Sequence, residues 1–336
     1  LRSGNAKPQL RGKIRSHFRV DQGWKANRFQ RLFHTAKSPQ LCPMEFAEQP
    51  SPERQVLEHG GWRLEYVAVD AGPGEGPRDR AVIAFHGFAR PLEDLLIWQD
   101  RWPQPVRLIA IHLPHHGASG PVDAALPSDA AIPPATLLDL IQRIAKREGC
   151  DPTDMDLVGY SIGGRIALTV LVEAPQIWDR VVLMAPDGLR KAPLYDLTVH
   201  TLVGRWLWRS LDRAAPLVNA VLKRLNRWGV VPKHLVQFAL FHTETKAMRD
   251  MVWHGWRAHR LCWPSTARVA AVLEAGQMGR VDFCFGSKDR VIPESNADRL
   301  KRQLHVPSVH FHRIHSGHGM LRDDVMREVI RVIFGA

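Results

Sequence analysis

From about Arg54 onward, apolar residues gather into short runs separated by longer amphipathic stretches. Gln55–Glu58 and Trp62–Val69 flank Gly60-Gly61 and predict a hairpin. Arg80–Phe85, Val106–Leu113, Met155–Tyr160, Val181–Ala185, Val281–Phe285 and Val309–Ile314 are each rich in Val, Ile, Leu or Phe. Most are apolar on successive positions, as strands covered on both faces must be. Between them, Leu92–Trp102, Pro134–Glu148, Gly163–Glu173, Ser295–Leu304 and Met320–Ile333 read as helices. Strands alternating with helices predict an α/β fold with a doubly wound, mostly parallel sheet. Right-handed crossovers then put the functional loops at the carboxyl ends of the strands.

The alternation breaks once. From Leu189 to Arg280 no convincing strand occurs, and Leu217, Val218, Val221, Leu222, Leu225 and Trp228 recur at helical spacing. Prolines 193, 216, 232 and 264 are expected to divide this block into pieces. The predicted organisation is a leader over 1–43, a core in two parts (44–187 and 281–336), and a helical cap inserted over 188–280.

Charge follows the same divisions. The net +12 resolves into +9 for residues 1–43, −9 for 44–187, +10 for 188–280 and +2 for 281–336. A single docking face for a nucleic-acid backbone would need the two basic blocks side by side, so nucleic acid is the weakest partner reading. The leader opens on Leu1, is rich in Arg, and precedes Met44. Its composition fits a disordered or non-native segment better than a targeting sequence. No apolar run reaches the roughly 18 to 20 residues that span a bilayer. Cys42, Cys150, Cys262 and Cys284 are scattered without metal-ligand spacing, which predicts reduced thiols and a cytoplasmic protein, peripheral to a membrane at most.

The most informative stretch is Met155-Asp-Leu-Val-Gly-Tyr-Ser-Ile-Gly-Gly-Arg. An apolar strand runs straight into Gly159-Tyr160-Ser161-Ile162-Gly163, and a helix follows. A serine at so sharp a turn projects its hydroxyl above the sheet, and the glycines relieve the crowding around it. The helix amino end beside it favours developing negative charge. A serine needs a base to take its proton. His318, between Gly317 and Gly319 just past the last strand, is better placed than His310, His312 or His315. The orienting acid belongs just past another strand end, where Asp289 lies four residues beyond Phe285; Asp187 is the rival. Backbone N–H groups of Ile162 and of Phe88, in His86-Gly87-Phe88, are the candidate oxyanion donors. His86, Gly87, Tyr160 and His115 are expected to shape the pocket. No metal or cofactor is expected, since His115 and His116 lack a third ligand nearby.

With these motifs in order, the chain resembles the α/β-hydrolase superfamily over about residues 54–336. The resemblance implies His-Gly-Phe as oxyanion loop, Gly-x-Ser-x-Gly as nucleophile turn, Gly-x-x-Asp as acid and Gly-His as base, at Gly87–Phe88, Ser161, Asp289 and His318. Serine at 161 sets it apart from the dehalogenases and epoxide hydrolases, which carry aspartate there. One loop departs from the family's Asp-x-Pro-Gly-His-Gly: here it reads His112-Leu-Pro-His115-His116-Gly117.

The resemblance and the residues together predict an esterase-like hydrolase acting on a small-molecule or lipid-like ester. The alternatives are a lyase or carbon–carbon hydrolase using the same three residues on a carboxylated substrate, and a non-catalytic relative that binds a partner. The cap combines its basic residues with Trp206, Trp208, Trp228, Trp253, Trp256 and Trp263. That mixture fits an anionic membrane surface or an acidic carrier protein, set against tryptophans that are simply core.

Overall fold

Val, Ile and Phe on consecutive positions force strands that need cover on both sides, and the computed structural model supplies it. The structure describes residues 52–335 apart from 125, 191 and 232. The leader prediction, and Cys42 with it, lies outside the described residues. Among the described residues nine strands form one sheet: β1 Gln55–His59, β2 Trp62–Ala71, β3 Ala81–Phe85, β4 Val106–Ile111, β5 Gly120–Pro121, β6 Met155–Tyr160, β7 Trp178–Met184, β8 Arg280–Gly286 and β9 Val309–Ile314. The order is β1-β2-β4-β3-β6-β7-β8-β9, with β5 pairing β2. β1 and β2 are antiparallel to their neighbours, and β3, β4 and β6 to β9 run parallel. Every residue of β3 and β6 is buried. The fold is the doubly wound α/β sheet that the hydrophobic pattern predicts.

Helices α1 Pro134–Arg147, α2 Ile162–Glu173, α8 Asp298–Lys301 and α9 Asp323–Phe334 flank the sheet. Two expected helices are shorter than the pattern implied. Leu92–Trp98 is a 3₁₀ turn following Pro91, and Glu294–Ala297 is another, leading into α8. The helical insertion lies between β7 and β8. It comprises α3 Pro193–His200, α4 Leu202–Arg227, α5 Lys233–Thr243 and α6 Lys246–Ala258, and α7 Thr266–Glu274 leads back to β8 with Val269, Ala270 and Leu273 in the core. Here the proline reading needs correction, because α4 runs straight through Pro216. Pro216 is exposed, so the carbonyl it leaves unpaired can be hydrated.

The insertion is tied to the core through α6. Arg257 is buried, pairs with Asp129 at 2.6 Å, and donates to the Val199 carbonyl. The Ile132 N–H donates to the Ala258 carbonyl at 2.9 Å. Residues 51–336 form one compact unit, so the insertion is not separate from the core. Among the described residues no helix is long and apolar enough to cross a membrane. Cys150, Cys262 and Cys284 are buried and free.

Candidate active site

β3 and β6 are neighbours at the point where strand order reverses direction, so the loops leaving them face each other at the carboxyl edge of the sheet. Ser161 stands between β6 and α2 with φ +56° and ψ −119°. That backbone strain persists only because the surroundings over-determine it. A Cβ at Gly163 would lie 2.4 Å from the Phe85 carbonyl oxygen, and one at Gly159 2.7 Å from that of Gly163. The Ser161 carbonyl accepts from Gly164 and Asp187, while its N–H donates to Met184. The turn is held at both of its backbone groups.

The structure brings Ser161, His318 and Asp289 into one hydrogen-bonded chain. His318 Nδ1–H donates to Asp289 Oδ2 at 2.8 Å, which leaves Nε2 to accept from the Ser161 hydroxyl at 3.1 Å. The Asp289 carboxylate is fully buried, and its Oδ1 accepts the N–H groups of Val291 and Ile292. Tyr160 donates its hydroxyl to the His318 carbonyl at 2.7 Å and lies 5.5 Å from the imidazole. Burial raises the Tyr160 phenol well above its ordinary range, so it stays a donor.

The rivals lie elsewhere. Asp187 faces Arg165 at 3.5 Å and accepts the Gly188 N–H. His312 bonds Asp282 on the sheet, and His315 meets Lys288. Ile162 opens α2, where helix geometry leaves the first N–H groups without an intrahelical acceptor. The Gly87–Phe88 loop lies against the nucleophile turn: a Cβ at Gly87 would sit 2.8 Å from Tyr160 and 3.4 Å from the Ser161 Cβ. The Phe88 ring points away to the insertion, stacking on His242 at 5.4 Å.

The departing loop proves to be a set of clamps. His86 Nδ1–H donates to the Gly87 carbonyl, and its Nε2 accepts the Leu113 N–H at 3.1 Å. His116 accepts the Ala89 N–H at 3.1 Å, and His112 accepts the Leu92 N–H at 3.3 Å. His112 turns its other nitrogen to Glu65 on β2 at 2.7 Å. A buried acid thus comes from β2 rather than from position 112. Glu65 also accepts the Ala118 N–H. Burial works to raise the Glu65 carboxyl, but the Ala118 and His112 bonds outweigh it and hold it below its usual value. Burial keeps all three imidazoles neutral: His116 falls to about 4, and His86 and His112 fall below their usual value. His86 is therefore a brace inside the loop, with both nitrogens used. His115 adopts φ +66° and lies 5.3 Å from His254 on α6, and burial lowers it to about 4. Among the described residues no group of three or more His, Cys, Asp or Glu could hold a metal ion.

Two residues at the site carried no clear signal in the sequence. Glu65 could have been noticed as a lone acid within the apolar run of β2. Arg165 follows Ser161 by one helical turn and is 1% exposed. Its guanidinium lies 4.5 Å from the Trp263 ring and 4.9 Å from Tyr195. Its Nε and Nη2 have no hydrogen-bond partner among the described residues.

Residues 55–332 match the model of the Alpha/beta hydrolase family. The chain belongs to that family. Curated relatives cover less of it. The dihydrolipoyllysine-residue acetyltransferase component of the acetoin cleaving system of Cupriavidus necator is 27% identical over 145 residues, 43% of this chain and 35% of that protein. Its Pseudomonas putida counterpart is 30% identical over 146 residues, 44% of this chain and again 35% of its own length. This α/β hydrolase thus spans about a third of the length of the curated relatives it matches. Similar solved structures include an alpha/beta hydrolase from a Medee basin deep-sea metagenome library, with a TM-score of 0.56, 12% identity and coverage of 84% and 96% of the two chains. A thermophilic esterase from Thermogutta terrifontis gives 0.53, 15%, and 84% and 97%. A meta-cleavage product hydrolase gives 0.51, 18%, and 84% and 98%. At such identities the likeness is one of fold.

Proposed function

We propose that this chain is a serine hydrolase that cleaves a carboxylic ester through an acyl-enzyme. The observation that carries the reading is the Ser161–His318–Asp289 chain, with the serine on a turn at φ +56°. His318 Nε2 takes the hydroxyl proton as Oγ attacks the ester carbonyl, then returns it to the leaving alcohol. A water deprotonated by the same nitrogen releases the acid. Asp289 holds the imidazole in the required tautomer. The N–H groups of Ile162 and Phe88 are assigned to the developing oxyanion. The esterase from Thermogutta terrifontis shares the fold and is consistent with this chemistry.

A fluorophosphonate probe tests the nucleophile. The wild type labels at neutral pH and Ser161→Ala does not; equal labelling of both, or of neither, overturns the assignment. Turnover of p-nitrophenyl esters of increasing chain length then tests the reaction. Asp289→Asn lowers kcat by roughly 10³- to 10⁴-fold, whereas Asp187→Asn, whose carboxylate faces Arg165, changes it by less than about tenfold.

One observation favours a second reading. The buried Arg165, whose Nε and Nη2 have no hydrogen-bond partner among the described residues, is what a carboxylated substrate of a carbon–carbon hydrolase or lyase would need. Good probe labelling with no turnover on any ester would favour it over ester hydrolysis.

A further inference from the structure

Much of the surface of helix α4 is apolar and open. Trp206, Leu217 and Trp228 are 66%, 69% and 63% exposed, and Val203 and Val221 are exposed beside them. At about 100° per residue these five side chains fall within an arc of about 60° along a helix roughly 40 Å long. Arg209, Arg213, Lys223, Arg224 and Arg227 are also exposed and occupy the adjoining arc. Ala215 and Asn219, on the other side, are buried. The helix carries six basic residues and one acid, and that acid, Asp212, is taken up by Arg249 at 2.6 Å. At its end the Arg224 guanidinium lies over the Trp228 ring at 5.1 Å.

We propose that α4 docks this protein on an anionic phospholipid bilayer. The apolar arc enters the headgroup–acyl boundary, and the basic arc contacts lipid phosphates. An apolar strip, tryptophan near each end and arginines alongside match that boundary in both polarity and charge. Charge argues against two other occupants. A second copy would bring two basic arcs together, and residues 1–43 carry +9 themselves. The insertion that bears α4 also meets the oxyanion loop through Phe88 against His242, and the 112–117 loop through His115 against His254. Docking would therefore set the proposed ester site beside lipid-borne substrate; that last step rests on the hydrolase reading, while docking itself does not.

The test is co-sedimentation of the full chain with vesicles of phosphatidylcholine containing about 30 mol% phosphatidylglycerol, and with phosphatidylcholine alone. The variants are Trp206→Ser/Leu217→Ser/Val221→Ser and Arg209→Gln/Arg213→Gln/Arg224→Gln. Turnover of a soluble short-chain ester, or probe labelling of Ser161, checks that both variants are folded. The wild type is expected to bind the anionic vesicles about tenfold or more tightly than the neutral ones, and each variant to lose about tenfold. Wild-type affinity in both variants would overturn the proposal, since binding would then come from outside α4. So would loss in the charge variant alone, which marks a polyanion such as an acidic protein, or a concentration-dependent dimer that the apolar variant abolishes. Vesicle binding without ester turnover would keep the docking and remove the ester-hydrolysis reading; turnover without vesicle binding would do the reverse.

Discussion

Glu65 shows how much one side chain can decide at this site. It joins β2 to the 112–118 loop through His112 and the Ala118 N–H, and His112 in turn holds the Leu92 N–H. Glu65→Ala strands a buried imidazole N–H and a backbone N–H together. Stability is expected to fall by about 2–4 kcal/mol, measured by denaturant unfolding. Glu58→Ala removes an exposed pair with Arg63 and is expected to cost less than about 1 kcal/mol. Equal losses would mean that Glu65 braces nothing. The contrast with Ser161 and His318 explains what could be read at this scale. Their surroundings are local: glycines two residues away, a strand just before, a turn just after. Glu65 and His112 stand 47 positions apart, and nothing near either one announces the other. The pairing arises from sheet order, which places β2 beside β4. Asp289 and Asp187 both lie just past strand ends in the sequence, and only the fold shows that the first bonds His318 while the second faces Arg165.

Among elements, those whose apolar or alternating run ends at a clear turn were readable, and those shaped by other forces were not. Met155–Tyr160 and Val309–Ile314 match their strands end to end, because each run stops where the chain leaves the sheet. β5 escaped notice: it is two residues long, ends in Pro121, and pairs only with β2. Pro216 misled because an exposed helix can leave one carbonyl to solvent. The junction of α3 and α4 offers a test of how the insertion is built. Gly204 is buried, its N–H donates to the Thr201 hydroxyl, and a Cβ there would lie 2.0 Å from the Leu197 carbonyl oxygen. Gly204→Ala must push α3 off α4, whereas Gly229→Ala, with open space but φ +74°, disturbs only a turn. Limited trypsin digestion is expected to cut the first variant faster within residues 188–280 while the core fragments persist. Unchanged cleavage there would show that the contact can relax.

Across the whole molecule, the histidines make stability depend on pH in a direction that can be worked out. Burial lowers His116 and His115 to about 4 and drives His86 and His259 well below their usual value, with His112 lowered too. In the unfolded chain each returns to an ordinary 6.5 or so. Below that pH the unfolded state binds protons that the folded state refuses, so stability is full above about pH 6.5 and falls as pH drops toward 4. His116 alone accounts for about 3 kcal/mol at the low end. Asp156, raised to about 6 by burial, and Asp94, raised too, act the other way, and they are outnumbered. The expected result is a Tm that is level from pH 7 to 8 and declines steadily below about 6.5. His259 isolates the cause. It is wholly buried, and its only polar contact is a weak one with the Gly255 backbone among the described residues, so His259→Leu removes a protonation site at little cost in bonding. Its Tm relative to wild type should be higher at pH 5 than at pH 8. A His259→Leu difference that does not change with pH would place the acid sensitivity in other groups, the carboxylates first among them.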